Sequence, residues 1–129
     1  MWFAMIEGVV IKRDALEVFL ELCKQVFPKE NIMLIRGKVK GGRATISEFL
    51  IPPFGTYGHG FSSFSSFMIP FDLSIIGVAH SHPSGNASPS TGDLNNPYGR
   101  IMMIVGYPYD EASLRVYTSK GEKLPYSIG

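Results

Sequence analysis

Leu73–Ala79 reads LSIIGVA and runs straight into His80–Asp93, HSHPSGNASPSTGD. The first part is a continuous apolar run with β-branched residues, the pattern of a buried strand. His80 and His82 stand two apart at its end, and the period of two in a strand turns both imidazoles to one face. Pro83 lacks a backbone N–H and breaks the strand at once, so the pair sits at an edge or mouth of the sheet. A loop of small residues follows, with Gly85 and Pro89. Ser90 and Asp93 are then spaced Ser-x-x-Asp. Serine is a good helix N-cap, and Asp93 falls at the third helical position. A returning helix therefore brings the Asp93 carboxylate back over the two imidazoles.

Outward from this segment the chain alternates strand and helix signals. Met5–Ile11 reads as a strand. Ala15, Val18, Phe19, Leu22, Cys23 and Val26 form one apolar stripe of an amphipathic helix. Asp14 and Glu17 are placed for a capping-box variant at its start, and Pro28 stops it. Asn31–Arg36 is a short apolar strand between Glu30 and Gly37. Gly41-Gly42 is a tight turn into a further strand, Arg43–Ile51, which Pro52-Pro53 ends. Phe54–Ser66 is rich in glycine, serine and phenylalanine, either a loop pinned to the core by its aromatics or one that contacts substrate. Downstream, Ile101–Val105 is a strand, Tyr107–Asp110 a turn, Ser113–Thr118 an edge strand and Ser119–Glu122 a hairpin turn. The pattern predicts a single α/β domain over residues 1–129, a mixed sheet with a long N-terminal helix and a short helix after Ser90.

Composition agrees with that size. The chain has 129 residues, of which 45% are hydrophobic and 18% charged, enough apolar side chains for one core. Twelve basic against eleven acidic residues leave a net charge of +1. That balance gives no electrostatic case for nucleic acid or for an anionic membrane. Cys23 is the single cysteine, so neither an internal disulfide nor a four-cysteine zinc site is available. No apolar stretch approaches the roughly 20 residues that span a bilayer. The first residues lack the basic region of a signal peptide, and the expected location is cytoplasmic. The apolar Trp2-Phe3 terminus is a candidate contact for a homodimer.

Two neutral imidazoles and a carboxylate suit a borderline-soft divalent ion. Three protein ligands leave a fourth tetrahedral position for water, the mark of a catalytic zinc. An H-x-H pair alone is a weak signal, and Ser-x-x-Asp alone is usually a helix cap. Joined at a fixed distance, they are far more specific. His59 has no such partners in sequence and reads as exposed. Activating water also requires a proton acceptor. Glu30, at the junction of helix and strand, is the candidate, but Glu7 and Glu48 compete equally on sequence alone.

Glu30, then His80-Ser81-His82-Pro83, then Pro89-Ser90-Thr91-Gly92-Asp93 resembles the motif of the JAMM (MPN-plus) metalloproteases. Glu30–Gly37, Ile104–Asp110 and Lys120–Glu122 are similar to the compact archaeal members. The resemblance implies a cytidine-deaminase-like α/β fold and one zinc (Zn2+) per chain on His80, His82 and Asp93. It implies Glu30 as general base and Ser90 as a stabiliser of the oxyanion. Ser81 supports the site and, with Phe61 and Phe64, is grouped with the substrate-binding residues. The implied reaction is cleavage of the isopeptide bond between the C-terminal glycine of a ubiquitin-like modifier and a target lysine. Phe54–Phe67 takes the place of an insertion that pairs with the substrate tail. Leu94–Arg100 is much shorter than the second insertion of linkage-specific eukaryotic relatives, so strong linkage selectivity is not expected. Two other readings share the resemblance. One is release of a small amino acid, such as cysteine, from the C-terminus of a sulfur-carrier protein. The other is a non-catalytic MPN scaffold, which typically lacks one or more of the ligands.

Overall fold

The apolar run of the motif forms a central strand, Ile75–His82, flanked by two others of the same character, Ile32–Lys40 and Ile101–Gly106. The computed structural model describes residues 5–52, 72–95 and 98–129. The Trp2-Phe3 terminus, His59 and the Phe54–Phe67 segment lie outside the described residues, and with them the expected contacts of Phe61 and Phe64.

In chain order the elements are β1 (Gly8–Ile11), α1 (Arg13–Val26), β2 (Ile32–Lys40), β3 (Arg43–Leu50), β4 (Ile75–His82), α2 (Thr91–Asn95), β5 (Ile101–Gly106), β6 (Leu114–Thr118), β7 (Lys123–Leu124) and β8 (Tyr126–Ile128). A 3-10 turn, Glu111–Ser113, precedes β6. The described strands form one eight-stranded mixed sheet in the order β7-β6-β5-β4-β2-β3-β1-β8. β4 runs parallel to β5 and antiparallel to β2. β2 and β3 are a hairpin turned by Gly41 (φ 60) and Gly42 (φ 80), the two left-handed residues that a type I′ turn needs. β1 lies parallel to both β3 and β8. β8 has only three residues, too few to show a period in the sequence.

The central strands lack polar alternation because both of their faces are covered. Met33, Ile35, Ala79, Met103 and Val105 pack on the face that α1 covers. Ile32, Leu34, Val78, Met102 and Ile104 form a second apolar cluster with Tyr117 on the opposite face.

The helix buries a stripe rotated from the one its sequence suggests. Leu16, Phe19, Leu20 and Cys23 are buried, whereas Val18 is 60% exposed. Phe19 sets this rotation by stacking on Phe49 of β3, with centroids 4.6 Å apart and planes at 24°. Ala15, Leu22 and Val26 flank the contact half-buried. The expected capping box does not form. The helix begins after Lys12 with no side-chain cap, and the Asp14 carboxylate accepts from Ala15 N–H at 2.8 Å instead. No helix among the described residues is long and apolar enough to cross a membrane.

The corrected helix face is testable by a pair of truncations. Phe19→Ala should cost about 3–5 kcal/mol, the usual loss for a buried ring. Val18→Ala should stay within about 0.5 kcal/mol, as at other exposed sites. Urea unfolding midpoints measure both, and equal losses would contradict the rotation.

Candidate metal centre

β4 ends at His82, so alternation places His80 and His82 on the face of the second apolar cluster and Ser81 on the α1 face. α2 then returns with Asp93. Its first turn is closed by a reciprocal cap, in which Ser90 N–H donates to Asp93 Oδ2 at 2.8 Å and Asp93 N–H donates to Ser90 Oγ at 3.1 Å. Asp93 is thereby held at 4% exposure with its carboxylate turned toward the histidines.

Glu30 arrives from the neighbouring strand. Ile32 lies opposite His80 in the antiparallel β2–β4 ladder. One step earlier, Asn31 and Ser81 clasp each other. Ser81 N–H donates to the Asn31 carbonyl at 2.9 Å, and Asn31 N–H donates to Ser81 Oγ at 2.7 Å. Both residues are fully buried. The Asn31 amide also donates to the Cys23 thiol of α1 at 3.6 Å. With Asn31 fixed behind the sheet, Glu30 falls on the histidine side.

The four side chains converge. Asp93 Oδ1 is 3.7 Å from His80 Nδ1, and Asp93 Oδ2 is 3.3 Å from His82 Nε2. The two Glu30 oxygens each lie 4.0 Å from one of those nitrogens. His82 Nδ1 stands 2.8 Å from the Asn86 carbonyl oxygen, which can only accept. Nδ1 therefore carries the proton, and the Nε2 lone pair faces the carboxylates. Anchoring one imidazole nitrogen on a carbonyl is the usual way to present the other to a metal. Donors on a tetrahedral zinc at about 2.0–2.1 Å are spaced about 3.3–3.4 Å apart. The His82–Asp93 spacing of 3.3 Å matches that edge, and the His80–Asp93 spacing of 3.7 Å is slightly longer. Among the described residues no three His, Cys, Asp or Glu donors are yet closed on a single point. The donor set, its spacing and the tautomer nonetheless fit a divalent ion at His80, His82 and Asp93.

The electrostatics agree. Burial opposes a charge on His82, but the Asp93 carboxylate, the Asn86 carbonyl and Glu30 outweigh it and raise its pKa above 6.5. Burial likewise pushes Asp93 up, but the His82 hydrogen bond, the His80 ring and the Ser90 cap hold it down at about 2. The cluster attracts a cation, and a proton on His82 is the substitute when no ion is bound. Behind it, burial lifts the Cys23 thiol to about 11, so it stays protonated and supplies no ligand.

The cluster thus contains Glu30, His80, His82 and Asp93, with Ser90 exposed at its rim. The rival carboxylates lie elsewhere. Glu48 pairs with Arg36 at 3.1 Å, and Glu7 is tied by its backbone to Gly42 at the far hairpin turn. Ser81 is a correction: it is buried on the opposite face and positions Asn31, so it does not touch substrate. Sequence reasoning missed Asn31 and Asn86. Asn31 carried a readable signal, an amide residue at the head of the apolar run Ile32–Ile35. Asn86 acts through its carbonyl and carried none. The segment after His82 is itself pressed on β5, because a Cβ on Gly106 would collide with the Gly85 carbonyl.

A mixed sheet carrying two strand histidines and a helix aspartate, with a facing glutamate, offers the donor set of a metal-dependent hydrolase. Two proteins similar to this chain carry names that agree with a metal-dependent hydrolase. A relative from Haloferax volcanii, named a probable metalloprotease, is 32% identical over 124 residues, which cover 90% of this chain and 76% of the relative. The crystal structure of a JAB1/MPN domain protein from Archaeoglobus fulgidus superposes with a TM-score of 0.69 at 30% identity, over 92% of this chain and 96% of that one. A JAMM structure, described as a metalloprotease-like zinc site in the proteasome and signalosome, matches with a TM-score of 0.66 at 28% identity, over 98% and 99% of the two chains. A solution structure from Desulfitobacterium hafniense shares the fold alone, with a TM-score of 0.65 at 14% identity over 94% and 92%. No family model matches the chain. The chain belongs to the JAMM (JAB1/MPN) metalloprotease family.

Two outcomes follow from the site. A raised His82 pKa means that protons compete with metal above pH 6.5, so zinc affinity should still be climbing as pH rises through 6.5. Competition with a chromophoric chelator measures this, and a plateau already reached below pH 6.5 would contradict it. In the metal-free protein the sign is opposite: the imidazolium stabilises the fold below pH 6.5, and that contribution is lost as pH rises through the raised value. Ser81→Ala leaves Asn31 N–H buried without its acceptor. It should cost about 1–3 kcal/mol of stability and about 10–100-fold in zinc affinity, as for other residues that orient ligands. Unchanged zinc affinity would reduce the clasp to a purely structural role.

Proposed function

We propose that the chain is a zinc-dependent isopeptidase, which cleaves the bond between the C-terminal glycine of a ubiquitin-like modifier and a target lysine. The observation that carries this reading is Glu30 standing 4.0 Å from both imidazole nitrogens that face Asp93. A catalytic base is wanted at that place, beside the ligands and on the open side of the cluster. The substrate class rests on the family resemblance.

Zinc, when bound, supplies a Lewis acid that makes water nucleophilic near neutral pH. Glu30 takes a proton from the attacking water and returns it to the leaving lysine amine, so one carboxylate serves both halves of the reaction. Ser90 Oγ accepts from Asp93 N–H, which leaves its own hydroxyl proton to donate to the developing oxyanion. Asn31 and Ser81 hold Glu30 and the histidines in register, and Asn86 holds the tautomer of His82. Release of a small amino acid from a carrier protein would use the same groups with a different leaving amine. A non-catalytic scaffold fits poorly with a full set of ligands and base.

Glu30→Gln is the decisive variant, since it keeps the shape and removes the base. Zinc content by metal analysis should be unchanged, while cleavage of a modifier–lysine conjugate should fall about 10²–10⁴-fold. A Gln variant as active as the parent would end the proposal. A carrier–cysteine adduct assayed beside the lysine conjugate distinguishes the two leaving groups.

A further inference from the structure

A groove of about 650 Å³ opens far from the metal centre, lined by Lys12, Lys38, Lys40, Arg43, Thr45 and Ser47. Among the described residues its lining holds four cations and no carboxylate, and the nearest acid by the turn, Glu7, lies against Gly42. Among the described residues none of the four cations lies within ion-pair distance of an acid; Arg36 beside them is neutralised by Glu48 at 3.1 Å and Asp72 at 3.6 Å. Lys40 lies directly opposite Arg43 in the β2–β3 ladder. Like charges facing each other across strands are destabilising, and a bound anion relieves that repulsion. Alternation along β2 puts Lys38 and Lys40 on the face of Ile32 and Leu34, which is also the face of the histidines. Lys38 lies six and Lys40 eight residues beyond Ile32, the partner of His80. At about 3.3 Å per residue the groove is about 20–26 Å from the reacting centre.

We propose that this groove is an exosite that docks an acidic segment of the protein substrate while the scissile bond lies at the metal centre. The assignment of the occupant as substrate rests on the proteolytic reading above. The separation is one that a folded partner spans. Among the described residues its lining offers no aromatic side chain for base stacking and is a compact cluster on two strands and one helix start. A nucleic-acid strand uses stacking platforms and an extended basic track. Binding energy gathered at such a remote point lowers KM without touching the chemistry.

The test has a binding arm and a kinetic arm on the full chain. A fluorescein-labelled oligoglutamate peptide is titrated by anisotropy at low and at physiological ionic strength. A neutral peptide of equal length and a single-stranded oligonucleotide of equal charge are run beside it. The variants are Lys38→Glu/Lys40→Glu, the milder Lys40→Gln/Arg43→Gln, and Lys24→Glu on α1 as a surface control. The acidic peptide should bind in a salt-sensitive way, weaken about tenfold in both groove doubles and be unaffected by Lys24→Glu. KM for a conjugate with an acidic target should rise by a similar factor, with cleavage of a short isopeptide unchanged. Equal binding by parent and groove variants, an oligonucleotide bound more tightly than the peptide through the same residues, or an unaltered KM would each overturn the proposal. Because the anisotropy arm requires no catalysis and Glu30→Gln should leave it intact, loss of the groove and loss of the protease reading are told apart.

Discussion

Two hydrogen bonds between Asn31 and Ser81 tie the sheet to the site. They lock β2 against β4 at the point where Ile32 meets His80. Side chains alternate across a strand, so a slip of one residue would move Glu30 to the helix face and Asn31 to the histidines. Both partners are wholly buried, where an unmade hydrogen bond is costly, and the clasp therefore specifies register more sharply than apolar packing does. Ile32 and Met33 are both apolar and accept either face; Asn31 accepts only one.

Once the register is set, the centre is defined by what it lacks. Asp93, Glu30 and the Nε2 of His82 face one another, and in the neutral ring that nitrogen offers a lone pair, so none of the three donates until a proton or a metal ion sits among them. Such an arrangement stands only with a cation among them, and the opposite displacements of the His82 and Asp93 pKa values express this. The surroundings keep the count of negative charges low. Cys23 approaches the clasp from α1, but its thiol stays protonated up to about 11 and adds no charge behind the ligands. The Ser90 cap spends the Asp93 backbone N–H and one carboxylate oxygen on fixing direction. Asn86 does the same for His82, and the contact of Gly85 with Gly106 explains why that loop cannot drift outward without leaving β5.

What was legible in the sequence was local. The period of two at His80 and His82, the stop at Pro83 and the cap offset from Ser90 to Asp93 each involve a few neighbouring residues, and the elements they imply are present. Choosing Glu30 over Glu7 and Glu48 from residues alone failed, because that choice depends on β2 pairing with β4 across more than forty intervening residues. The helix was recognisable but its face was misjudged: Val18 and Leu16 are equally apolar, and only the ring of Phe49 decides which side is turned inward. Ser81 was grouped with the substrate-binding residues through the resemblance, yet alternation turns it away from the ligands and leaves it the supporting role. Twelve basic and eleven acidic residues conceal how they are distributed, and an average of +1 is compatible with a strongly basic groove.

That distribution gives the ligand face of the sheet a direction. Along β2 the residues on this face run Ile32, Leu34, Arg36, Lys38, Lys40, from apolar beside the metal centre to cationic at the hairpin. The catalytic end carries the Asp93 and Glu30 carboxylates, and a divalent ion among them brings that end to neutrality. Among the described residues the hairpin end keeps four cations outside any ion pair, with one acid, Glu7, beside the turn at Gly42. The long-range field over this face therefore originates far from the chemistry, and an acidic partner is oriented by it before contact. An acidic segment gains nothing by approaching the metal end first, which carries no net charge once a divalent ion is bound. Attraction at one end alone would align a substrate along the strands, with its neutral tail left to enter the site.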